Sequence, residues 1–412
     1  MKTITGILAA TALTGASAAY AVDLEVTHWW TSGGEAEAVR EFAKAFNEQT
    51  EHTWVDGAVA GGGNVARPIF VSRILGGDPM GATQFNHGRQ TEELIQAGLM
   101  MDLTDVAEAE GWKDLVNPPS LLDACTLDGR IYCAPINIHS WQWMWLSNKA
   151  FEDAGVPIPT NWDEFVAAGP ALVAAGKIPL AMGQQPWQQG GAFNVIFTAV
   201  GGPELAERIM GQKDAEAARS PEFLKVWEAA AQARELSANS NVQDWNQATN
   251  LVITGQAGGQ IMGDWAQGEF ALAGQNAGDD YTCLPGLGLQ DVLDTGGDAI
   301  YFPVNRDPAV TAAQKELAAL LLKPDVQVAF NEKKGSMPVR GDVDMASVNE
   351  CMKKGLDLLA QGGSVVVPSI ELRLSADTIA EINDLVTEFW FDPSYPPEEA
   401  QEVYADIISR AK

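Results

Sequence analysis

The side chains with most chemistry to offer are indoles and carboxylates set together where short extended runs break at glycine. His28-Trp29-Trp30-Thr31-Ser32-Gly33-Gly34-Glu35 is the first such stretch. Gln260-Ile261-Met262-Gly263-Asp264-Trp265 repeats its logic, and Gln185-Pro186-Trp187 follows Leu180-Ala181-Met182 in a similar way. His87 ends the run Thr83-Gln84-Phe85-Asn86, and Lys334 stands in the basic glycine turn Lys333-Lys334-Gly335. Indole faces stack on apolar C–H surface. Carboxylates, imidazoles and ammonium groups meet hydroxyls, which both donate and accept. Trp29, Trp30, Trp187 and Trp265 with Glu35, His87, Asp264 and Lys334 thus suit a ligand that has both surfaces, as a pyranose does. Thirteen Trp against six Tyr agrees with stacking. A bond-breaking site is less well signalled. Glu35 and Asp264 could form the acid and base of a glycosidase, but there is no Gly-x-Ser-x-Gly elbow, His-Glu-x-x-His pair or Cys/His dyad.

Each of these residues also has a purely structural reading. Ser32-x-x-Glu35 is a capping-box pattern, in which the carboxylate reaches back to a backbone N–H. One of the two adjacent tryptophans can be core, and a lone His such as His87 is commonly structural. Gly61-Gly62-Gly63-Asn64 lacks the Gly-Lys-Ser/Thr ending of a phosphate loop, though such backbone can still approach a ligand closely.

The elements that must position these groups alternate. Leu24 and Val26 against Glu25 and Thr27 read as a strand; Val39, Phe42, Ala43 and Phe46 then follow helical spacing to about Thr50. A strand at 53–55 comes next, then helices at 66–75 and 90–97 and an extended run at 129–138. Trp141, Trp143 and Trp145 alternate, which places three rings on one strand face with at least one in the core. From Ala150 helical runs dominate (161–174, 195–200, 221–236, 246–253), interleaved with short strands at 178–182 and 259–262. These form a second α/β lobe. The chain is extended from Tyr281 to Pro303, and helices follow, the first at 308–322. Ligands of open α/β sheets bind at such strand ends.

Bulk properties narrow the classes. The 412 residues suggest two domains or one elaborated unit. A net charge of −29 disfavours nucleic acid and anionic membrane surfaces, which need clustered Lys and Arg. Residues 1–21 read as a leader: Lys2, an apolar run to Leu13, and Ala19-Tyr20-Ala21 as cleavage site, so that the mature chain begins at Val22 in the periplasm. Cys125 and Cys133 flank an Asp128-Gly129 hairpin turn. They are expected to pair, leaving Cys283 with Cys351; buried free thiols are the alternative. No spacing suits zinc, and neither metal nor cofactor is expected.

The chain resembles periplasmic solute-binding proteins of ABC sugar importers, in the glucose/mannose-binding branch of the extracellular family-one group. The likeness covers nearly all of the chain after the leader. It is carried by 28–35, Pro135-Ile136-Asn137-Ile138-His139, Asp244-Trp245-Asn246-Gln247-Ala248-Thr249, 260–265 and Lys334-Gly335-Ser336-Met337-Pro338-Val339-Arg340. It implies an α/β fold of two lobes closing as a clamp (type II-like) on a cleft, joined by three hinge crossings near 134–138, 281–285 and 335–338. The first lobe would be 22–134 with 286–334, the second 139–280 with 339–412. It implies a monomeric binding protein rather than an enzyme, partnered by a glucose- or mannose-like monosaccharide and permease subunits; the same fold binding a disaccharide or a non-sugar solute is the alternative. The aromatic platforms would be Trp30 (with Trp29), Trp187 and Trp265; the polar contacts would be Glu35, His87, Asp264, Asp298 and Lys334. The family often links the positions of Cys283 and Cys351. One departure stands out: a sugar-binding His that often follows Val-Pro-Ser is missing from Val367-Pro368-Ser369-Ile370-Glu371-Leu372, where Glu371 is a candidate substitute.

Overall fold

The computed structural model describes residues 20–345 and 348–411, so the expected leader, apart from Tyr20 and Ala21, lies outside the described residues. Two sheets organise two lobes. In the first, strands Asp23–His28, Thr53–Ala58 and Ala82–Asn86 run parallel, and Asp298–Tyr301 inserts antiparallel between Ala82–Asn86 and Cys133–Pro135. In the second, Trp143–Ser147 pairs antiparallel with both Tyr281–Pro285 and Ala257–Ile261, and Ile178–Ala181 completes the edge.

The helix Gly33–Gln49 shows how sequence becomes site. Its apolar stripe puts Val39, Phe42 and Phe46 into the first core, where Phe42 stacks on Phe330 at 4.0 Å. The expected capping box forms only in part. Ser32 Oγ accepts from Glu35 N at 3.4 Å, but the Glu35 carboxylate turns to Lys334 instead of the backbone. A free N–H at this helix start is satisfied from the other lobe: Gly34 N donates to Glu269 Oε1 at 2.8 Å. The approach is close enough that a Cβ on Gly34 would lie 2.7 Å from the Gly268 carbonyl carbon.

Both disulfides form. Cys125–Cys133 closes a hairpin whose turn, Asp128 and Gly129, has positive φ at both positions. Cys283–Cys351 ties the edge strand of the second sheet to the helix Glu350–Gln361, whose Met352 and Leu358 pack in the first core.

The transits between lobes differ from expectation. The first runs between Pro135 and Trp143, and its Ile138 exchanges backbone hydrogen bonds with Met337. Tyr281–Pro285 is no crossing but a full strand of the second sheet, because its five residues pair in register with 143–147. The return follows it: Leu287 belongs to the second core and Leu293 to the first. After 335–338 the chain also stays with the first lobe, where Val339 and Met345 are core; it touches the second lobe at Cys351 and enters that lobe's large core from Ile370. Residues 339–358 therefore do not belong to the second lobe alone. The tryptophan run differs too. The strand begins at Trp143, so Trp143 and Trp145 stack in the core at 5.6 Å while Trp141 lies ahead of it and faces the gap between lobes. Among the described residues no helix is long and apolar enough to cross a membrane.

Candidate functional site

A cavity of about 360 Å³ opens between the lobes. The first lobe contributes the Trp29–Ser32 turn, Glu35, the Ala60–Asn64 loop and Arg67; the second contributes Trp187 and Trp265 at the ends of its strands. Each group sits where a strand hands over to a helix, the place the opening motif requires.

Its centre is a buried charge network. Lys334 ends the helix Pro324–Lys334, with Gly335 as a left-handed cap, and its Nζ lies 2.9 Å from Glu35 Oε1. The same Nζ stands 5.4 Å from the Trp265 ring centroid, a cation–π contact. Asp298 accepts from Gln84 Nε2 at 2.7 Å and from Asn137 Nδ2 at 3.1 Å, and its Oδ2 is 3.1 Å from His139 Nδ1. Burial opposes every one of these charges. For Lys334, Glu35 and Asp298 outweigh it and raise the pKa. For Asp298, burial is outweighed by His139, Lys334 and Gln84, which hold the carboxyl well below its usual range. For His139 the Asp298 carboxylate overrides burial and raises the pKa. The network is thus self-neutralising, leaving hydrogen-bonding capacity at fixed positions.

Aromatic rings cover the other side. Trp265 packs edge-on to Trp141 at 4.8 Å and lies 5.0 Å from His139, and Trp141 meets Trp187 at 5.8 Å. Trp187 reaches across to the first lobe, where a Cβ on Gly62 would lie 3.5 Å from its Nε1.

Seven residues singled out from sequence line this cavity: Trp29, Trp30, Glu35, Trp187, Trp265, Asp298 and Lys334. Within the tryptophan pair the roles are reversed. Trp30 is 1% exposed and packs among His28, Phe42 and Phe330, whereas Trp29 stays half-buried with Arg67 at 5.5 Å from its ring. Trp30 therefore meets the cavity only from within the core, while Trp29 offers the more open face of the pair. His87 and Asp264 do not line the cavity. His87 is sealed behind Gly297, where a Cβ would lie 2.5 Å from Nε2, and Asn86 takes the lining position. Burial, with the His139 charge adding to it, pulls its pKa to about 4 and keeps it neutral. Asp264 turns to the crossing segment, accepting from Ser140 N at 2.9 Å and Oγ at 3.3 Å. Burial pushes its pKa up to about 7 against the pull of His139. Glu35 and Asp264 therefore do not flank one opening as a glycosidase pair would.

The residue reading missed His139, Trp141, Trp245 and Arg67, all of which line the cavity. His139 and Trp245 lay within the stretches that carried the resemblance, and Arg67 had no local signal that set it apart from Arg73 on the same helix. Glu371 lines the cavity at the position noted for the absent His. Among the described residues no cluster of His, Cys, Asp or Glu is arranged to hold a metal ion.

The chain is similar to known proteins in sequence and in fold. Residues 31–328 match the family model described as bacterial extracellular solute-binding protein. A probable sugar-binding periplasmic protein of Brucella melitensis is 37% identical over 337 residues, 81% of this chain and 79% of that one. One of the same description from Rhizobium meliloti is 34% identical, covering 87% and 86%. Among solved structures, an ABC transporter solute-binding protein of Thermotoga lettingae bound to α-D-tagatose superposes with a TM-score of 0.76 at 18% identity, covering 95% of this chain and 99% of that one.

Proposed function

Because the chain belongs to the family of bacterial extracellular solute-binding proteins, we propose that it is the carbohydrate-capturing component of an ABC importer. It takes up a monosaccharide of the glucose or mannose type in the periplasm and delivers it, as a monomer, to membrane permease subunits. The observation that carries this reading is the pairing of Trp265 with the Glu35–Lys334 ion pair at one cavity shared by both lobes. A pyranose there meets an indole face on one side and charge-assisted hydrogen bonds on the other. The names of the relatives from Brucella melitensis and Rhizobium meliloti support the sugar class. The tagatose complex supports a cleft of this fold accepting a single sugar ring.

The mechanism needs no bond-making. A ligand that touches both lobes binds the closed arrangement more tightly, and so shifts the open–closed population by its differential affinity. The Gly34–Gly268 contact and the Glu269 cap give the closed arrangement a defined seat. A thermal-shift screen against a panel of hexoses, pentoses and non-sugar solutes tests the proposal, since a ligand that binds only the folded state raises the melting temperature. A hexose shift that Trp265→Ala abolishes supports it. Shifts only with amino acids or anions overturn it.

A further inference from the structure

We propose that the monosaccharide captured here carries a carboxylate, as a hexuronic acid does, and that Arg67 is the residue that binds this group. The inference rests on the carbohydrate reading above and narrows it: the ligand is still one glucose- or mannose-type pyranose, with its C6 oxidised. The first argument is charge pairing. On the cavity wall Lys334 is tied to Glu35, and His139 to Asp298. Arg67 is bonded to no carboxylate among the described residues. Its Nη1 donates to Asn86 Oδ1 at 3.1 Å and to Gln90 Oε1 at 3.4 Å, and its Nη2 donates to Asn64 Oδ1 at 2.8 Å. All three acceptors are neutral amide oxygens. The guanidinium is half-buried, packed against Gly63 and over the Trp29 ring. Taking a cation out of water is costly unless an anion meets it. Burial lowers the Arg67 pKa against the pull of Glu371 and Asp298, neither of which is bonded to it.

The second argument is the shape of what remains. A guanidinium has five N–H donors. The two without an acceptor among the described residues are Nε–H and one on Nη2, and these two nitrogens share an edge of the fork. A carboxylate meets such an edge with two oxygens and a charge, whereas a hydroxyl brings one oxygen and none. The third argument is reach. Asn86, which accepts from Arg67, stands directly opposite Asp298 in the register of neighbouring strands. Opposed residues have Cβ atoms about 5 Å apart, so one hexose spans the step from the Asp298 network to the guanidinium. The carboxylates that would repel an anionic ligand are held by other groups: Glu35 by Lys334, and Asp298 by His139, Gln84 and Asn137. A pyranose seated on Trp265, with hydroxyls at Glu35, Lys334 and Asp298, would thus turn its C6 carboxylate to Arg67. A neutral hexose takes the same seat without that last contact.

Calorimetric titration at neutral pH separates the outcomes, with glucuronate, galacturonate and mannuronate set against glucose, galactose and mannose. We expect at least one hexuronate to bind about tenfold or more tightly than its parent hexose. The neutral amide of that hexuronate, which keeps its shape and loses its charge, should bind no better than the hexose; this control needs no variant. Arg67→Gln should narrow the hexuronate-to-hexose ratio by about fivefold or more. Ratios below the expected one for all three pairs overturn the inference, and hexose binding then leaves the carbohydrate proposal standing. A preference that the neutral amide reproduces, or that Arg67→Gln narrows by less, also overturns it. No binding by any of the six sugars overturns both.

Discussion

On the first-lobe side the charged groups Glu35, Arg67, Asp298 and Lys334 stand beside Trp29; on the second-lobe side Trp187, Trp245 and Trp265 gather, with the uncharged amides Gln185 and Asn194 and the carboxylate Asp244 among them. The charged groups are held by bonds that reach through the protein: Gln84 and Asn137 donate to Asp298, and Arg67 donates to Asn64 and Asn86. The aromatic wall is held by rings packed edge to edge. The difference assigns each wall a part of recognition. Fixed donors and acceptors select hydroxyl geometry, because a mismatched buried polar group costs the full desolvation penalty. Ring faces supply contact that tolerates variation in the sugar.

If that division is right, breaking the two walls has different signatures. The largest effect is on stability, from Lys334→Met. Removing the ammonium leaves the buried Glu35 and Asp298 carboxylates without their cation, and urea denaturation should show a loss of about 3–5 kcal/mol. A loss under 1 kcal/mol would mean the ion pair is dispensable. Next comes the strap across the lobes. Replacing Cys283 and Cys351 by Ser opens a loop with a sequence separation of 68 and should cost about 2–4 kcal/mol. Scanning calorimetry of the double variant checks this, and it should broaden or split the transition because the helix it anchors packs in the first core.

The aromatic wall should fail in binding first. Trp265→Ala should weaken the sugar by about 30-fold, the cost of losing an anchor worth about 2 kcal/mol. One further effect depends on pH. Asp264 has a folded pKa raised to about 7, above its unfolded value, so the folded state holds the extra proton. Its contribution to stability is present below about pH 4 and is lost as pH rises towards 7. Asp264→Asn removes that loss, so the variant should gain on wild type steadily as pH rises from 5 towards 7. A pH-independent difference would place the carboxylate elsewhere than at its Ser140 seat.

The same contrast explains what the sequence disclosed. The strand-end pattern led to the Trp29–Glu35 turn and to Trp187 and Trp265, because a strand, a break and a helix start are local features. What it left open was direction. How open each ring of the Trp29–Trp30 pair is to the gap is settled by Phe42 and Phe330, which come from two helices and bury the second ring. His87 follows a correctly read strand, but Gly297, on another segment, shuts it in. Asp264 was drawn to a backbone N–H of the crossing segment, which only the assembled lobes bring near. The placing of the transits rested on the resemblance: 281–285 was read as extended chain, and that it is a strand of the second sheet shows only once its partner 143–147 is known. The two-lobed α/β clamp itself came from the resemblance, and the sheets and the structural comparison agree with it.

The most direct test of two unlike walls acting on one ligand is a crystal structure of the protein grown with the sugar that gives the largest thermal shift. The account predicts a pyranose ring against the Trp265 face with hydroxyls at hydrogen-bond distance from Glu35, Asp298 or Lys334. Sugar density that touches one lobe only, or lies outside the cavity between Trp187 and Trp265, would contradict it.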